Sequence, residues 1–529
     1  MPITPTYPGV YIEELPSGVR TIVPASTART AFIGRTVRGP DNKVTRIQNF
    51  GDFSRIFGGL DVRMTLPYAV QQFFSHGGGD ALIVRVANED AVAATSTVNG
   101  LPLRAAGPGD WGRFLRVRID HKVKPGADGN PRSDLFNLSV SLLIPEADVR
   151  IDEDFRNLSI EPNEPRYFVT VLEQDSLLVE SAIAAGVAID RPGPHADLPA
   201  TGDRNPFGAA DRFTQFDANG VDGGNIDDAE ILGNEQRKTG LHALDRWEAE
   251  FSLMVIPPLT RDLDVSPETL GEAARYCQSR RAMLIVDPPV GWTEPANAEG
   301  QIDQVRDAFG PAKKNAAIFF PRIKLPDPLK ENRAVEFAPS AAVAGICART
   351  DAARGVWKSP AGIEAGFVGV SAFTIKMSDP ENGRLNPLGI NCLRNLPGGI
   401  GKVVWGSRTL DGADRLASEW KYLAVRRMAL FLEESLFQGT QWVVFEPNDE
   451  PLWAQIRLNL GAFMQGLFRQ GAFQGRSPRE AYFVKCDKET TTQNDINRGI
   501  VNIEVGFAPL KPAEFVIIKI QQMAGEIET

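Results

Sequence analysis

Residues that do chemistry are scarce in this sequence. Four cysteines and four histidines are spread over 529 positions. The cysteines (Cys277, Cys347, Cys392, Cys486) stand far apart and form no C-x-x-C pair. That leaves out the usual zinc and thiol-redox spacings and reads as reduced thiols in a protein made in a cytoplasm. The histidines (His76, His121, His195, His242) fall in separate segments, with no H-E-x-x-H or H-x-x-x-H pattern, and there is no G-x-S-x-G elbow for a nucleophilic serine. A basic excess is also missing. Lys and Arg number 57 against 67 Asp and Glu, a formal charge of −10, and no long Lys/Arg block occurs. Sequence-independent nucleic-acid binding runs on phosphate neutralisation, so this balance argues against it. No apolar run approaches the ~20 residues that cross a bilayer. The opening "MPITPTYPGVYIEEL" has neither the basic n-region nor the apolar h-region of a signal peptide.

What is present is enough apolar residue for a sizeable core, 43% against 23% charged. The length implies about two to four domains. One stretch, "NLPGGIGKVVWGSRTL" (Asn395 to Leu410), imitates a nucleotide loop. A phosphate loop needs G-x-x-x-x-G-K-[ST], so that backbone N–H groups surround the phosphates and a hydroxyl reaches magnesium. With Gly401-Lys402 as the final G-K, the first glycine is replaced by Leu396 and the hydroxyl by Val403. The glycines lead into a β-branched strand rather than a helix, so they read as a turn that needs positive φ. A second stretch, "DANGVDGGNIDD" (Asp217 to Asp228), imitates a calcium loop. Its fifth and sixth places hold Val221 and Asp222 where an acidic or amide residue and a glycine belong, so it reads as a solvated loop.

Along the chain, residues 1–22 read as an extended arm, because Pro2, Pro5, Pro8 and Pro16 forbid a continuous helix. Residues 23–90 alternate strand, helix and strand, the first part of an α/β core. Residues 91–200 change texture to short strands such as "RFLRVRID", "LFNLSVSLLI" and "RYFVTVLE", a β-sandwich-like insertion. Residues 201–245 are polar and rich in Gly and Asp, a surface loop. Residues 246–370 return to α/β: "FSLMVIPP", "AMLIVDPP" and "AAIFFPRIKL" are buried strands. "SPETLGEAARYCQSRR" is a helix capped by Ser266 with Pro267 at its first position. Strand ends at "VIPP" and "IVDPP" are where α/β folds bind ligands, yet only Asp287 brings a titratable group there.

Residues 371–508 read as a C-terminal α+β domain with two amphipathic helices, from about Ala413 to Phe437 and from about Glu450 to Gln470. The second has an apolar stripe, Trp453, Ile456, Leu460, Phe463 and Leu467. A separate row, Arg457, Gly461, Gln465 and Arg469, carries two positive charges. "QWVVFE", "AYFVKC" and "GIVNIEVGF" read as strands around it. Residues 509–529 form a second arm. Pro509 and Pro512 make a stiff link that carries the β-prone run Phe515, Val516, Ile517, Ile518, Lys519, Ile520 away from its own sheet. The N-terminal run Val10, Tyr11, Ile12, Glu13 also stands behind prolines. Two unpaired β-prone ends either fold back or are donated to a neighbouring copy, and the pattern alone supports both. The chain is thus expected to be a multidomain α+β and α/β protein: an α/β core, a β-sandwich-like insertion, a C-terminal α+β domain and extended β-arms at both ends.

Several motifs together resemble the contractile tail sheath proteins of contractile-tailed bacteriophages and related extracellular contractile injection systems. They are "YPGVYIEELPSG", "TARTAFIGRTVRGP", "SPAG" (Ser359 to Gly362), "GINCLRNLPGGIGKVVWGSRTL", "WKYLAVRRMALFLEESL" and "VGFAPLKPAEFVIIKIQQ", in the order in which the family has them. The resemblance implies a structural subunit, not an enzyme, with no cofactor. It implies partners of three kinds: further copies of itself in a helical array of hexameric rings, an inner tube protein, and baseplate and tail-terminator or cap proteins. It implies no nucleic acid and no insertion into a membrane. Assembly in a bacterial cytoplasm and a place in a phage tail or injection particle follow from it. Under this reading Arg457 and Arg469 are candidate tube-facing residues and both arms are intersubunit strands. An NTP-binding enzyme and a calcium-dependent surface adhesin are the rival readings.

Overall fold

The computed structural model describes residues 20–126, 129, 131–144, 149–247 and 249–519. They form two compact units: a larger one, Thr27–Ala353 with Pro360–Leu423, and a smaller one that contains residues 20–26, Arg354–Ser359 and 424–519.

The larger unit is built on an eight-stranded sheet. Its order is Gly401–Val404, Asn391–Leu396, Ala316–Phe320, Met283–Val286, Leu253–Val255, Thr30–Gly34, Ala81–Arg85, Thr45–Ile47. The six inner strands run parallel and the two edges antiparallel. "TAFIG", "ALIVR", "LMV", "MLIV" and "AAIFF" are buried along their whole length. A parallel sheet covered on both faces demands such unbroken apolar runs, which is why they read as strands without alternating. Helices Leu66–Ser75, Pro267–Ser279, Pro295–Phe309 and Ser340–Arg354 belong with this sheet, the third of them unanticipated from the sequence. Ser266 caps the second of them, its Oγ accepting from Thr269 N at 3.2 Å. The imitation nucleotide loop is the hairpin that closes one edge. Leu396 pairs with Gly401, and Gly398, Gly399 and Gly401 have φ of 72°, 82° and 81°. Glycine is required here for its left-handed backbone, not for phosphate contact.

Between Ala81–Arg85 and Leu253–Val255 lies the β-rich insertion. A four-stranded antiparallel sheet (Thr214–Gln215, Leu115–Asp120, Leu135–Ile144, Val149–Ser159) and a three-stranded one (Thr95–Val98, Leu101–Ala105, Val179–Ser181) share one apolar core. The expected strand "RYFVTVLE" is instead a helix, Phe168–Asp175. Its buried residues Phe168, Val169, Val171 and Leu172 have helical spacing, so core packing overrides the β preference of valine and threonine. The insertion enters and leaves through a paired neck. Val92 and Val221 exchange backbone hydrogen bonds of 2.9 and 2.8 Å, and Asn88 Nδ2 donates to the Asn225 carbonyl at 2.7 Å. The acidic loop 217–228 has structural partners. Asp222 accepts from Asp110 N, and Asp227 caps the short helix Asp228–Leu232 in a capping box with Glu230.

The smaller unit holds helices Leu423–Gly439 and Glu450–Arg469 beside a two-stranded antiparallel sheet, Tyr482–Lys485 with Glu504–Phe507. Two differences from expectation stand out. The first helix starts at Leu423, not near Ala413, because the preceding loop is bound elsewhere: Arg408 donates to Asp414 and Thr409 Oγ1 to the Trp420 carbonyl. "QWVVFE" is no strand but a single 3₁₀ turn, Gln441–Val443, followed by exposed Val444 and Phe445.

Candidate assembly surface

Helix Glu450–Arg469 is started by Asp449, whose side chain accepts from Leu452 N. Leu452, Trp453, Ile456, Leu460, Met464 and Leu467 are buried on one stripe, close to the apolar set expected from spacing. The cationic row is less free than its spacing suggests. Arg457 Nη2 lies 2.6 Å from Glu450, one of two partners, and Nη1 donates to the Cys486 carbonyl. Glu450 and Arg457 are seven positions apart on one helix face, a signal readable in the sequence. Gln465 accepts from the Tyr482 hydroxyl at 2.8 Å, and Arg469 is exposed.

Strand Glu504–Phe507 and the chain just before it pack the alternating set Val501, Ile503, Val505 and Phe507 on the helices, each half-buried. Downstream the chain crosses to Pro509, which bridges to Phe473, and continues to Phe515–Lys519 without regular structure. Phe515, Val516, Ile517 and Ile518 are 74%, 80%, 82% and 78% exposed. Lys519 is exposed too, and Ile520 lies outside the described residues. So do Val10, Tyr11, Ile12 and Glu13. At the N-terminal side the described chain begins on its own domain. Arg20 N donates to Asn459 at 2.9 Å, its guanidinium lies 4.5 Å over the Trp442 ring, and Ile22 is buried. Gly439 makes room for it, since a Cβ there would come within 2.7 Å of Ile22.

Sequence reasoning missed one feature. Phe445, on the turn after Trp442, is fully exposed and has φ of +69°. A left-handed backbone costs a non-glycine residue roughly 1–2 kcal/mol. The sequence signal was a run of four apolar residues, Trp442 to Phe445, between polar neighbours.

The strand-end crevice of the large sheet is occupied by structural duties. Asp287 accepts from Ser340 N and Ser340 Oγ, both at 2.7 Å, and so caps helix Ser340–Arg354. Burial pushes its carboxyl up to about 6. Asp264 pairs with Arg322 and accepts from Val290 N. The cavity of about 310 Å³ beside them is walled mostly by Ile256, Leu263, Val265, Leu270, Val286 and Val305. All four thiols are buried; burial raises that of Cys486 to about 11 and that of Cys392 to about 12. No helix among the described residues is long and apolar enough to cross a membrane.

In the smaller unit, then, an exposed apolar run follows in sequence a sheet that has two strands among the described residues. Comparison with known proteins shows what the chain resembles. Residues 417–523 match the phage tail sheath C-terminal domain. A putative prophage major tail sheath protein of Pseudomonas aeruginosa (strain UCBPP-PA14) is 28% identical over 283 residues, 52% of this chain and 67% of that protein. The tail sheath protein of Enterobacteria phage T4 is 29% identical over 171 residues, 32% of this chain and 24% of that one. Among solved structures, the helical sheath of the anti-feeding prophage in its contracted state superposes with a TM-score of 0.56 at 22% identity, over 98% of this chain and 100% of the other. Residues 417–523 thus carry a phage tail sheath C-terminal domain, and the chain is similar to tail sheath proteins, which are structural subunits.

Proposed function

We propose that copies of this chain polymerise in a bacterial cytoplasm as a helical array of hexameric rings around an inner tube protein. A baseplate and a terminator or cap protein bound the array at its ends, and its contraction drives the tube through a target cell envelope. The carrying observation is the exposed apolar run Phe515–Ile518, which follows in sequence a sheet that has two strands among the described residues. Fully burying four such side chains is worth roughly 6–12 kcal/mol gross, at ~1.5–3 kcal/mol each. Part of that is lost to ordering the arm and joining two chains. Pairing with a neighbour's sheet edge satisfies the backbone as well as the side chains. The contraction itself is downhill: the extended array is a trapped state, and repacked contacts between subunits supply the driving energy while the arms keep copies connected.

Deleting Met1 to Ser17, or everything after Pro512, tests this reading. Negative-stain images of the full chain should show helical tubes, and both deletions should abolish them while the monomer keeps its circular dichroism and melting transition. Deleted chains that still form tubes refute the donated-arm reading; a deletion that unfolds the monomer shows that the arm belongs to its own domain.

A further inference from the structure

Among the described residues, the tip of the turn after Trp442 packs against nothing in the subunit. Phe445 is completely exposed, Val444 is 59% exposed, and Phe445 has φ of +69°. The turn holding them is firm. Val444 N donates to the Gln441 carbonyl at 3.3 Å and Glu446 N to the Val443 carbonyl at 3.2 Å. Trp442 and Val443 pack on the same apolar cluster as Val484, Val501, Ile503 and Val505 of the two-stranded sheet. Asn448 Nδ2 donates to the Ile500 carbonyl at 2.9 Å, which ties the turn to the chain just before strand Glu504–Phe507. A strained backbone presenting an aromatic ring to water beside a sheet with an open edge is an arrangement that an incoming strand would complete.

We propose that Phe445, with Val444, is a clamp that covers the Phe515–Ile518 run of a second copy when that run is added to this sheet. The inference rests on the donated-arm reading and specifies which arm and which residue seize each other. Charge selects the arm. The tip is followed by exposed Glu446, Asp449 and Glu450. The C-terminal run is bordered by Glu514 and Lys519, which cancel, whereas the N-terminal "GVYIEEL" carries Glu13 and Glu14 with no basic residue. Like charges would oppose the N-terminal arm at this place and favour the C-terminal one.

Cysteine pairs in the full chain test the contact, because all four native thiols are buried. Assembled sheaths of Phe445→Cys/Ile517→Cys and of Phe445→Cys/Ile518→Cys are oxidised and run on a non-reducing gel. Side chains alternate along a strand, so one of the two pairs, and not both, should give a ladder of crosslinked copies that a reductant collapses. Phe445→Cys/Ile12→Cys should give none. Phe445→Ser is the second variant. It should raise the concentration needed for tube formation at least tenfold without lowering the monomer melting temperature, and Phe445→Gly should do the same while raising that temperature. Tubes that form normally with Phe445→Ser, or a ladder from the Ile12 pair alone, overturn the clamp. Loss of tubes on arm deletion together with absence of both C-terminal ladders overturns the clamp and leaves the donated arm standing. Tubes that survive arm deletion overturn both.

Discussion

Asp287 shows how a residue that looks catalytic in the sequence serves the fold. Placed after a buried parallel strand, it has the position of an α/β active-site acid, and no other titratable group of the sequence pattern pointed there. Both its oxygens are taken by Ser340, and the burial that makes this cap tight raises its pKa from 3.8 to about 6. The folded chain therefore holds a proton between about pH 4 and 6 that the unfolded chain has released. Stability contributed through this group rises as pH falls through about 6, and above that the whole cost of the buried anion is present, at most about 3 kcal/mol. Asp287→Asn keeps one acceptor for Ser340 and removes the charge. Scanning calorimetry of the monomer should show the variant gaining several degrees on the natural protein between pH 4.5 and 8. A difference that stays constant with pH would remove burial of the charge as the cause.

At the scale of elements, legibility followed the physics of burial. Strands of the parallel sheet were readable because both faces are covered and every residue is apolar. The hairpin at Asn391–Leu396 and Gly401–Val404 was readable because its glycines cannot make a phosphate loop. Phe168–Asp175 was not, since "FVTVL" has β-branched residues whose helical spacing matters only once the insertion core exists. "QWVVFE" misled in the opposite direction: its strand-like residues form a turn, with Trp442 and Val443 packed inward and Val444 and Phe445 facing outward. The C-terminal arm was legible through Pro509 and Pro512, which forbid a tight return. Ile518→Pro removes one ladder N–H and kinks the run. It should block tube formation while the monomer's melting temperature stays within about a degree of the natural one, since a change at an exposed site is usually worth under ~0.5 kcal/mol. A variant that melts markedly earlier would mean that the strand stabilises its own domain.

For the whole molecule, the proposed contraction requires an extended state held weakly enough to be released. Exposed ion pairs suit that, at roughly 0–1 kcal/mol each, repeated along a tube. Arg469 is the better placed of the two candidates, since Arg457 already shares its guanidinium with Glu450 and the Cys486 carbonyl. Arg457→Glu with Arg469→Glu should uncouple tube from sheath and yield bare contracted sheaths in electron micrographs, and Arg469→Glu alone should give most of that effect. Extended particles of ordinary appearance from the double variant would rule out this face as the tube contact. The paired neck at Val92 and Val221 has a different reach. The β-rich module that departs and returns there is also tied to the core beside it: Arg85 of the parallel sheet donates to the Pro108 carbonyl at 2.6 Å, Asp41 N to the Ala106 carbonyl at 3.1 Å, and Lys43 Nζ to the Glu173 carbonyl at 2.7 Å. The module therefore belongs to the same compact unit as the sheet instead of hanging from it. A pull on its outer face is carried straight into the parallel strands.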